Sequence, residues 1–299
     1  MGCINICLAC DNNYAKYAGV VIASVLNNSN PEDNLNIFIL DGGIENDKKN
    51  EILELKSIKD CNIHFIQIDE TMFEDYKKVA THEYISIATY YRLKLAKLLP
   101  DVERIIYFDC DMVVNTSLAE LFNIDLGDNI IAGVRDINKR MLKKNPEYIN
   151  AGMVMFDLTK IREHNIEQKF YDWTNEHYET IKMGDQEIIN EVLKGQIKIV
   201  DDEWNVQSSN FTNRSSYTKH PKVIHYVARR KPWHFGSFSI HRQLYFENLQ
   251  LTPWKLNGWK EKFYWYYLNE LKSLIDYFLY RPLFLFRPRF YEAFFKTYF

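Results

Sequence analysis

Among its 299 residues the chain lacks any uninterrupted run of about 18 apolar residues, which is the length that a membrane-spanning helix needs. It also lacks a strong excess of one charge, because its formal net charge is -3, so the composition gives no reason to expect a nucleic-acid partner. Internal repeats and low-complexity segments are missing, and the first residues do not have the pattern of a signal peptide. What is present, 46% hydrophobic and 26% charged residues, is typical of a folded globular protein.

Cysteine is scarce, and its spacing excludes two common uses. Five cysteines are present, and three of them fall in the first strand-like segment. No pair has the spacing of a zinc site, and Cys7 and Cys10 lie where a buried strand is expected rather than in a redox motif. An odd number of cysteines without a disulfide pattern favours a reducing, cytoplasmic compartment.

Short apolar runs alternate with helical patterns along the first two-thirds of the chain. The runs predict buried strands at 4–9, 36–40, 63–68 and 104–108, and the intervening patterns predict helices at 14–26, 47–57 and 88–98. Continuous apolar strands that alternate with helices are typical of an α/β fold with a mixed, mostly parallel sheet. We therefore expect a Rossmann-like nucleotide-binding domain.

Polar residues follow several of these strands. Asp11 comes after the first strand, Asp109 and Asp111 come after the strand at 104–108, and His225 ends the apolar run Val223–Ile224. In open α/β sheets, ligands bind outside the carboxyl ends of the strands. These residues are therefore the first candidates for a functional site.

Asp109 and Asp111 are two residues apart, so both carboxylates are expected on one face and Cys110 on the other. Two convergent carboxylates repel each other unless a cation lies between them. Oxygen ligands favour Mg²⁺ or Mn²⁺, and an added imidazole favours Mn²⁺. The same pattern also fits two solvated carboxylates, or the aspartate nucleophile of a haloacid-dehalogenase phosphatase. A phosphatase motif usually lies near the N-terminus, however, and the acidic spacing expected after it is missing here.

Six short stretches, taken in order, resemble glycosyltransferase family 8, which includes bacterial lipooligosaccharide galactosyltransferases and glycogenin. The resemblance covers about three-quarters of the chain. The stretches are Ala9-Cys-Asp-Asn-Asn-Tyr14, Ser86-Ile-Ala-Thr-Tyr-Tyr-Arg-Leu-Lys-Leu95, Tyr107-Phe-Asp-Cys-Asp111, Asn150-Ala-Gly152, Gly184-Asp-Gln186, and His225-Tyr226 with Lys231-Pro-Trp-His234.

The resemblance implies a GT-A fold, a UDP-sugar donor, a divalent metal and retention of the anomeric configuration. It assigns Asp109, Asp111 and His225 as metal ligands, with Mn²⁺ expected and Mg²⁺ as the alternative. The donor-binding residues that it implies are Ala9, Asp11, Asn13, Tyr14, Arg92, Asp109, Cys110, Asp111, Asp136, Asn150, Ala151, Asp185, Gln186, His225 and Lys231. Within this set Tyr14 would stack on the base and Lys231 would contact the diphosphate, while Asp185 and Gln186 would be the catalytic residues.

Some of these residues also have structural explanations. Tyr14 could be a core aromatic at a helix N-terminus, Arg92 a surface arginine, and Asp185-Gln186 the first turn of a helix, where acidic residues are favoured. The family often has a glycine and a proline between His225 and Lys231, whereas this chain has Val-Ala-Arg-Arg at 227–230. We expect Arg229 and Arg230 to face the acceptor.

The composition changes near the C-terminus. After Pro253 the chain has eight Lys or Arg against four Asp or Glu, and aromatic residues become dense. This make-up predicts a catalytic domain at 1–253 and a helical segment at 254–299 that attaches to the cytosolic membrane surface. The alternative is that the rings pack on the domain or on a second subunit, although Pro282 and Pro288 would break a long packing helix.

These observations predict a hexosyltransferase that acts on a glycan or glycolipid acceptor of the lipopolysaccharide or surface-polysaccharide type. Galactose and glucose both remain possible as the transferred sugar, and the sequence leaves the oligomeric state open. A self-glucosylating, glycogenin-like enzyme is an alternative because tyrosine is abundant. The alternatives from other classes are the phosphatase and a non-catalytic protein that binds sugar nucleotides.

Overall fold

The computed structural model describes residues 3–79, 87–208, 220–227, 231–234, 237, 239 and 241–258. The acceptor role predicted for Arg229 and Arg230 lies outside the described residues, and so does the membrane attachment predicted for the segment after Gly258. Within the described ranges, no helix is both long enough and apolar enough to cross a membrane.

The centre of the fold is a seven-stranded sheet with the order β3-β2-β1-β4-β7-β6-β8. All neighbouring pairs are parallel except those made by β7, which is antiparallel to β4 and β6. This confirms the mixed, mostly parallel sheet. The strands in the described part are β1 Ile4–Cys10, β2 Leu35–Asp41, β3 Asn62–Gln67, β4 Arg104–Phe108, β5 Met112–Val114, β6 Ile131–Arg135, β7 Ile149–Asp157, β8 Ile197–Ile199, β9 Val206–Ser208 and β10 Val223–Tyr226.

Helices cover both faces of the sheet. The α-helices in the described part are α1 Ala15–Asn28, α2 Asn46–Leu53, α3 Glu74–Lys77, α4 Leu95–Leu98, α5 Ala119–Phe122, α6 Lys139–Lys144, α7 Leu158–Glu163, α8 Ile166–His177, α9 Asp185–Val192 and α10 Arg242–Leu249. Short 3₁₀ segments span Glu54–Ser57, Glu70–Phe73, Ile87–Lys94 and Asp202–Asn205.

The helix predicted at 88–98 differs from the structure. Most of it is the 3₁₀ segment Ile87–Lys94, and only Leu95–Leu98 is α-helical. The 3₁₀ segment buries four side chains in succession, from Tyr90 to Leu93. An amphipathic α-helix would turn some of these residues to solvent, whereas a tight segment enclosed by the sheet and by α9 can bury all of them.

Alternate residues of each central strand enter two separate cores. Ile37 and Ile39 on β2 pack with α1, whereas Phe38 and Leu40 pack with the aromatic cluster on the opposite face. Because both faces are covered, the strands appear in the sequence as continuous apolar runs.

A second sheet of three strands, with the order β5-β10-β9, lies beside the first. The strand β10 runs from Val223 to Tyr226, so His225 lies inside a strand and does not end it, contrary to the expectation from the sequence. The residue still reaches the site because β10 pairs with β5, the strand that follows Asp111. Sequence analysis did not predict this small sheet.

The topology brings the polar segments to one edge. The strand β1 pairs with β2 on one side and β4 on the other, so the β1/β4 boundary is the switch point at which α/β sheets bind ligands. Since β7 is antiparallel, its first residues lie at the edge where β1, β4 and β6 end.

Trp254, the first residue of the predicted C-terminal segment, packs on the domain. Its indole Nε1 donates to Glu51 Oε2 at 2.8 Å, and a Cβ atom on Gly19 of α1 would overlap its ring. Gly19 therefore allows the close approach of the indole ring. The division at residue 253 stays a prediction.

Candidate active site

Three candidate metal ligands converge at the β1/β4 switch point. Asp109, Asp111 and His225 each offer one ligand atom, and these atoms all lie within 4.8 Å of one another. His225 Nε2 is 3.2 Å from Asp111 Oδ1 and 4.0 Å from Asp109 Oδ2. We call these three residues the metal corner.

The other ring nitrogen of His225 fixes the imidazole. Its Nδ1 lies 3.1 Å from Asn150 Oδ1 and 3.2 Å from Asn205 Oδ1. Both neighbours are acceptors as placed, so Nδ1 carries the proton and donates it, and the Nε2 lone pair faces the carboxylates. Metal-binding histidines are commonly oriented in this way by an acceptor on the far nitrogen.

The donor set fits a divalent cation. Asp111 Oδ1 is buried and has no hydrogen-bond partner, and the neighbouring His225 Nε2 is a second acceptor. Two acceptors 3.2 Å apart repel each other unless a cation joins them. Two carboxylates and one imidazole suit Mn²⁺, and Mg²⁺ is compatible with the oxygen ligands. Gly152 makes room for this arrangement because a Cβ atom there would overlap the His225 ring.

Lys231 provides a positive charge at the metal corner. Its ammonium forms an ion pair with Asp111 Oδ2 and donates to the Tyr226 carbonyl at 2.9 Å. Burial acts to raise the pKa of Asp111, but the charge of the paired Lys231 ammonium opposes it and helps to hold that pKa below its usual range.

Arg92 is buried rather than on the surface, so the surface-arginine alternative is wrong. Its guanidinium forms ion pairs with Asp109 at 2.6 Å and Asp185 at 3.0 Å. It lies over the Tyr107 ring at 4.0 Å from the centroid and donates to the Ala151 carbonyl. A buried cation between two carboxylates fixes both of them, which joins the metal corner to α9.

Asp185 begins α9, as the alternative explanation of its position expected, and it is also buried beside Arg92. Burial raises the pKa of Asp185 to about 6, with Arg92 opposing the rise and Asp109 adding to it. The helix-start explanation is therefore confirmed, and the catalytic role of Asp185 stays a prediction.

Next to the metal corner lies a set of hydrogen-bonded polar side chains, which we call the amide network: Asp136, Asn150 and Gln186. Asp136 Oδ2 accepts from Asn150 Nδ2 at 3.2 Å and from Gln186 Nε2 at 3.1 Å. Gln186 Oε1 accepts from the Ala151 amide at 3.1 Å. Asp136 directly follows β6, Asn150 is the second residue of β7, and Gln186 is in the first turn of α9. All three are buried.

The residues after β1 form the rim of the site. Asp11 Oδ1 accepts from the Tyr14 amide at 2.9 Å and so supports the start of α1. The Tyr14 ring is 44% exposed and meets Tyr17 edge-to-face, so it is not a core aromatic. Asn13 is exposed beside it. An exposed ring at the rim of a group of polar residues is suited to stacking on a planar base.

Ala9 and Cys110 lie below this rim, and the structure joins them to each other. The buried Cys110 thiol donates to the Ala9 carbonyl at 3.3 Å, so the thiol points away from the carboxylates on either side of it. This contact joins the loop after β4 to the carboxyl end of β1.

The segment that carries Lys231 is held from two sides. The Trp233 ring stacks on Tyr17 of α1 with a centroid distance of 3.9 Å and an interplanar angle of 14°. Arg242 Nε, at the start of α10, donates to the Pro232 carbonyl at 2.9 Å. These contacts place the Lys231 ammonium at the metal corner.

Sequence analysis missed Asn205, which is fully buried and touches both Asn150 and His225. It also gave no role to Asn190, whose side chain pairs with both backbone groups of Ile149. No motif marks Asn205. The available signal is an amide between two apolar residues, Trp204 and Val206.

Three comparisons with known proteins point to one family. The model of glycosyl transferase family 8 matches residues 5–236. A Haemophilus influenzae protein named as a glycosyltransferase is 35% identical over 248 residues, which cover 77% of this chain and 73% of that protein. The lipopolysaccharide 1,2-glucosyltransferase of Escherichia coli is 25% identical over 272 residues, which cover 85% of this chain and 79% of that protein.

A solved structure is similar over nearly the same range. The galactosyltransferase LgtC, in complex with donor and acceptor sugar analogs, has 26% sequence identity and a TM-score of 0.74. The match covers 87% of this chain and 100% of that chain. This similarity confirms the expected GT-A architecture.

Proposed function

The chain belongs to glycosyltransferase family 8, and we propose that it moves galactose or glucose from a UDP-sugar to a glycan or glycolipid acceptor. The proposal includes a divalent metal, Mn²⁺ in preference to Mg²⁺, and retention of the anomeric configuration. The observation that carries it is the metal corner, where a buried carboxylate oxygen without a hydrogen bond faces an imidazole lone pair. Family membership supports sugar transfer over the phosphatase alternative.

The metal corner is the leaving-group end of the site. A bound divalent ion supplies positive charge to a diphosphate that gains negative charge as the glycosidic bond breaks. Lys231 adds a second cation, and one charge pair near 4 Å is worth about 4 kcal/mol at an effective dielectric of about 20. Because Lys231 also pairs with Asp111, its ammonium is held beside the place where the diphosphate would bind.

The amide network is the sugar end. As the leaving group departs, the sugar carbon becomes cation-like, and a nearby polar surface without a strong base suits it. Gln186 is held at both ends of its amide, by Asp136 and by the Ala151 backbone. An amide is a poor nucleophile, so we favour a front-face route in which the leaving and accepting oxygens share one side of the sugar.

On this proposal Asp185 accepts hydrogen bonds from sugar hydroxyls and Tyr14 stacks on the uracil, with Asp11 and Asn13 near the base and ribose. The exposed Tyr14 ring and the buried Asp185 carboxylate support these roles. An acceptor of the lipopolysaccharide type is supported by the name of the Escherichia coli relative.

The test is UDP release from a panel of UDP-sugars, with Mn²⁺ or with chelator. We expect release with one donor, loss of release with chelator, and loss in Asp111→Ala. The matched control is Asp101→Ala, because Asp101 is an exposed aspartate just before β4, at the opposite edge of the sheet. Equal release by wild type and Asp111→Ala would refute the assigned role of the metal corner.

A separate test concerns the front-face route. Turnover stalled with a slow donor analogue should leave the protein mass unchanged. A sugar covalently attached to Gln186 or Asp185, found by mass spectrometry of proteolytic fragments, would refute it.

The peripheral attachment of the C-terminal segment also remains part of the proposal. Because Trp254 packs on α1, the informative truncation ends at Gly258 rather than at Pro253. We expect the shortened chain to lose binding to anionic vesicles while its thermal unfolding midpoint stays within a few degrees. Unchanged vesicle binding would exclude this role for the segment.

A further inference from the structure

A run of basic residues lies at the edge of the sheet that carries the proposed sugar pocket. Residues 136–148 connect β6 to β7, and we call them the basic excursion. Four of the six residues of α6 within it are basic and none is acidic: Lys139, Arg140, Lys143 and Lys144. All four are exposed, and no described carboxylate forms an ion pair with any of them.

The excursion begins and ends at the amide network. Asp136 is its first residue, and Asn150 follows it by two residues on β7. Asp136 uses its two carboxylate oxygens in different directions: Oδ2 accepts from Asn150 and Gln186, whereas Oδ1 accepts from the Asn138 amide at 2.6 Å. Asn138 then caps α6 by accepting from the Arg140 amide. One side chain thus connects the amide network to the basic helix.

Further contacts hold the excursion against β9. The side chain of Gln207 accepts from the Ile137 amide at 3.3 Å and donates to the Arg135 carbonyl at 2.9 Å. Arg135 Nε in turn donates to the Pro146 carbonyl at 3.0 Å. The helix is therefore fixed relative to the site, and Lys139 is at most about 11 Å from Asp136 along the chain.

This surface is uniformly basic, whereas the carboxylates of the catalytic end are paired with Arg92 and Lys231. The acceptor must bring a hydroxyl to the sugar end of the site, so its other groups have to lie over neighbouring surface. We propose that the basic excursion binds phosphate groups on the acceptor glycan, so that the acceptor is a phosphate-bearing saccharide. This inference rests on the proposed sugar transfer and adds the chemical class of the acceptor.

The composition of α6 favours a glycan over a membrane surface. Its two apolar residues, Met141 and Leu142, are half-buried, and the helix has no aromatic residue. Interfacial helices bury an apolar face, often with Trp or Phe, into the lipid boundary.

The test compares two forms of one probe. A fluorescent oligomannose that carries two phosphomonoesters is titrated with the full-length protein at low ionic strength, beside the same oligomannose after phosphatase treatment. Fluorescence anisotropy should give wild type a Kd about tenfold lower for the phosphorylated form, and this preference should shrink as salt is added.

The main variant is Lys139→Glu with Arg140→Glu, which should abolish the preference. Acidic residues are favourable in the first turn of a helix, so α6 should still form. The matched control is Lys56→Glu with Lys194→Glu, which changes the net charge equally. Those lysines are exposed and precede β3 and β8, at the opposite edge of the sheet. A second variant, Lys143→Gln with Lys144→Gln, should reduce the preference by a smaller factor.

Three results would overturn the proposal. Wild type could bind the two probes with equal affinity, or the control variant could lose the preference for the phosphorylated probe as fully as the α6 variant does. The α6 variant could also keep that preference and lose only its binding to lipid vesicles. For the last, vesicles of phosphatidylglycerol and phosphatidylcholine are titrated in parallel. If the α6 variant loses vesicle binding but keeps its probe preference, the surface binds membrane. UDP release by wild type is measured separately, so failure of the acceptor inference is distinguishable from failure of the proposed function.

Discussion

The metal corner and the amide network lie side by side, but they differ in how far the protein alone satisfies their polar atoms. In the metal corner, Asp111 Oδ1 lies 3.2 Å from His225 Nε2 and has no hydrogen-bond partner. In the amide network, both ends of the Gln186 side chain have partners. The first arrangement is electrostatically incomplete by itself, and the second is satisfied by the protein alone.

This difference suggests separate roles for the two groups of residues. Buried acceptors that face each other favour cation binding, because leaving them unpaired costs free energy. A satisfied network, by contrast, holds its groups rigid and needs no ligand to form. We therefore expect metal affinity to depend on the metal corner, and catalytic geometry and folding stability to depend on the amide network.

The largest effect should come from removing the imidazole. His225→Ala takes one of three ligands from the metal corner, so UDP release should fall about a thousandfold. Mn²⁺ affinity, measured by electron paramagnetic resonance of the free ion, should fall at least about tenfold. His164→Ala, at an exposed histidine after α7, serves as the control. Unchanged Mn²⁺ affinity in His225→Ala would erase the distinction between the two regions.

The next effect concerns Asp185, which joins the regions through Arg92. Burial raises the pKa of Asp185 to about 6, well above the usual value for an aspartate, so the folded protein binds this proton more tightly than the unfolded chain. The resulting stability is present below the unfolded pKa and is lost as pH rises through about 6. Asp185→Asn lacks this dependence, so its unfolding free energy relative to wild type should increase by about 2 kcal/mol between pH 4 and pH 7.

Urea denaturation at both pH values, with chelator and without donor, measures this difference. Arg92 stays charged between pH 4 and pH 7. Replacing its partner Asp185 by asparagine therefore changes the unfolding free energy through Arg92 by an amount that does not vary with pH. A relative stability that is the same at pH 4 and pH 7 would show that Asp185 does not titrate as described.

A smaller effect is expected in the amide network. Gln186→Ala leaves the Ala151 amide and Asp136 Oδ2 short of partners, which should cost about 2 kcal/mol of unfolding free energy. Its kcat should fall while its Mn²⁺ affinity matches wild type. The control is Gln168→Ala, at an exposed glutamine on α8. Loss of Mn²⁺ binding in Gln186→Ala would mean that the two regions are not separable.

The smallest effect should come from the aromatic stack that holds the Lys231 segment. Trp233→Ala removes the ring that lies on Tyr17, and such contacts are worth about 1 kcal/mol. We expect KM for the donor to rise about fivefold with a smaller change in kcat, and Trp233→Phe to restore most of the loss. Steady-state kinetics, with the donor that gives UDP release in the panel of UDP-sugars, measures both parameters. A change in kcat without a change in KM would contradict the role of Trp233 in holding the Lys231 segment for donor binding.

Much of the site could be predicted from the sequence because its residues lie at the ends of recognisable strands. Asp11, Asp109 and Asp111 directly follow apolar runs, and the edge at which such runs end is where α/β sheets bind ligands. The metal corner is confirmed as a cluster of three side chains, although its metal is not identified. The predicted roles of the individual residues stay predictions.

Residues whose role depends on distant partners could not be predicted in this way. Asn205 is 55 residues from Asn150 and belongs to a short 3₁₀ segment without a motif, yet the two amides share a hydrogen bond. The burial of Arg92 was equally hidden, because a 3₁₀ segment and an exposed amphipathic helix have similar local patterns. In both cases the side chain acquires its partners only through tertiary packing.

By itself the sequence determined the α/β class, the strands and the polar residues after them, because hydrophobic periodicity and local chain direction are properties of neighbouring residues. Only the tertiary structure decided which of those residues meet. It brought β10 beside β5 so that His225 faces Asp111, it buried Arg92 between Asp109 and Asp185, and it placed α6 at the edge of the site. These are contacts between segments tens of residues apart, set by sheet order and packing, and no local pattern encodes them.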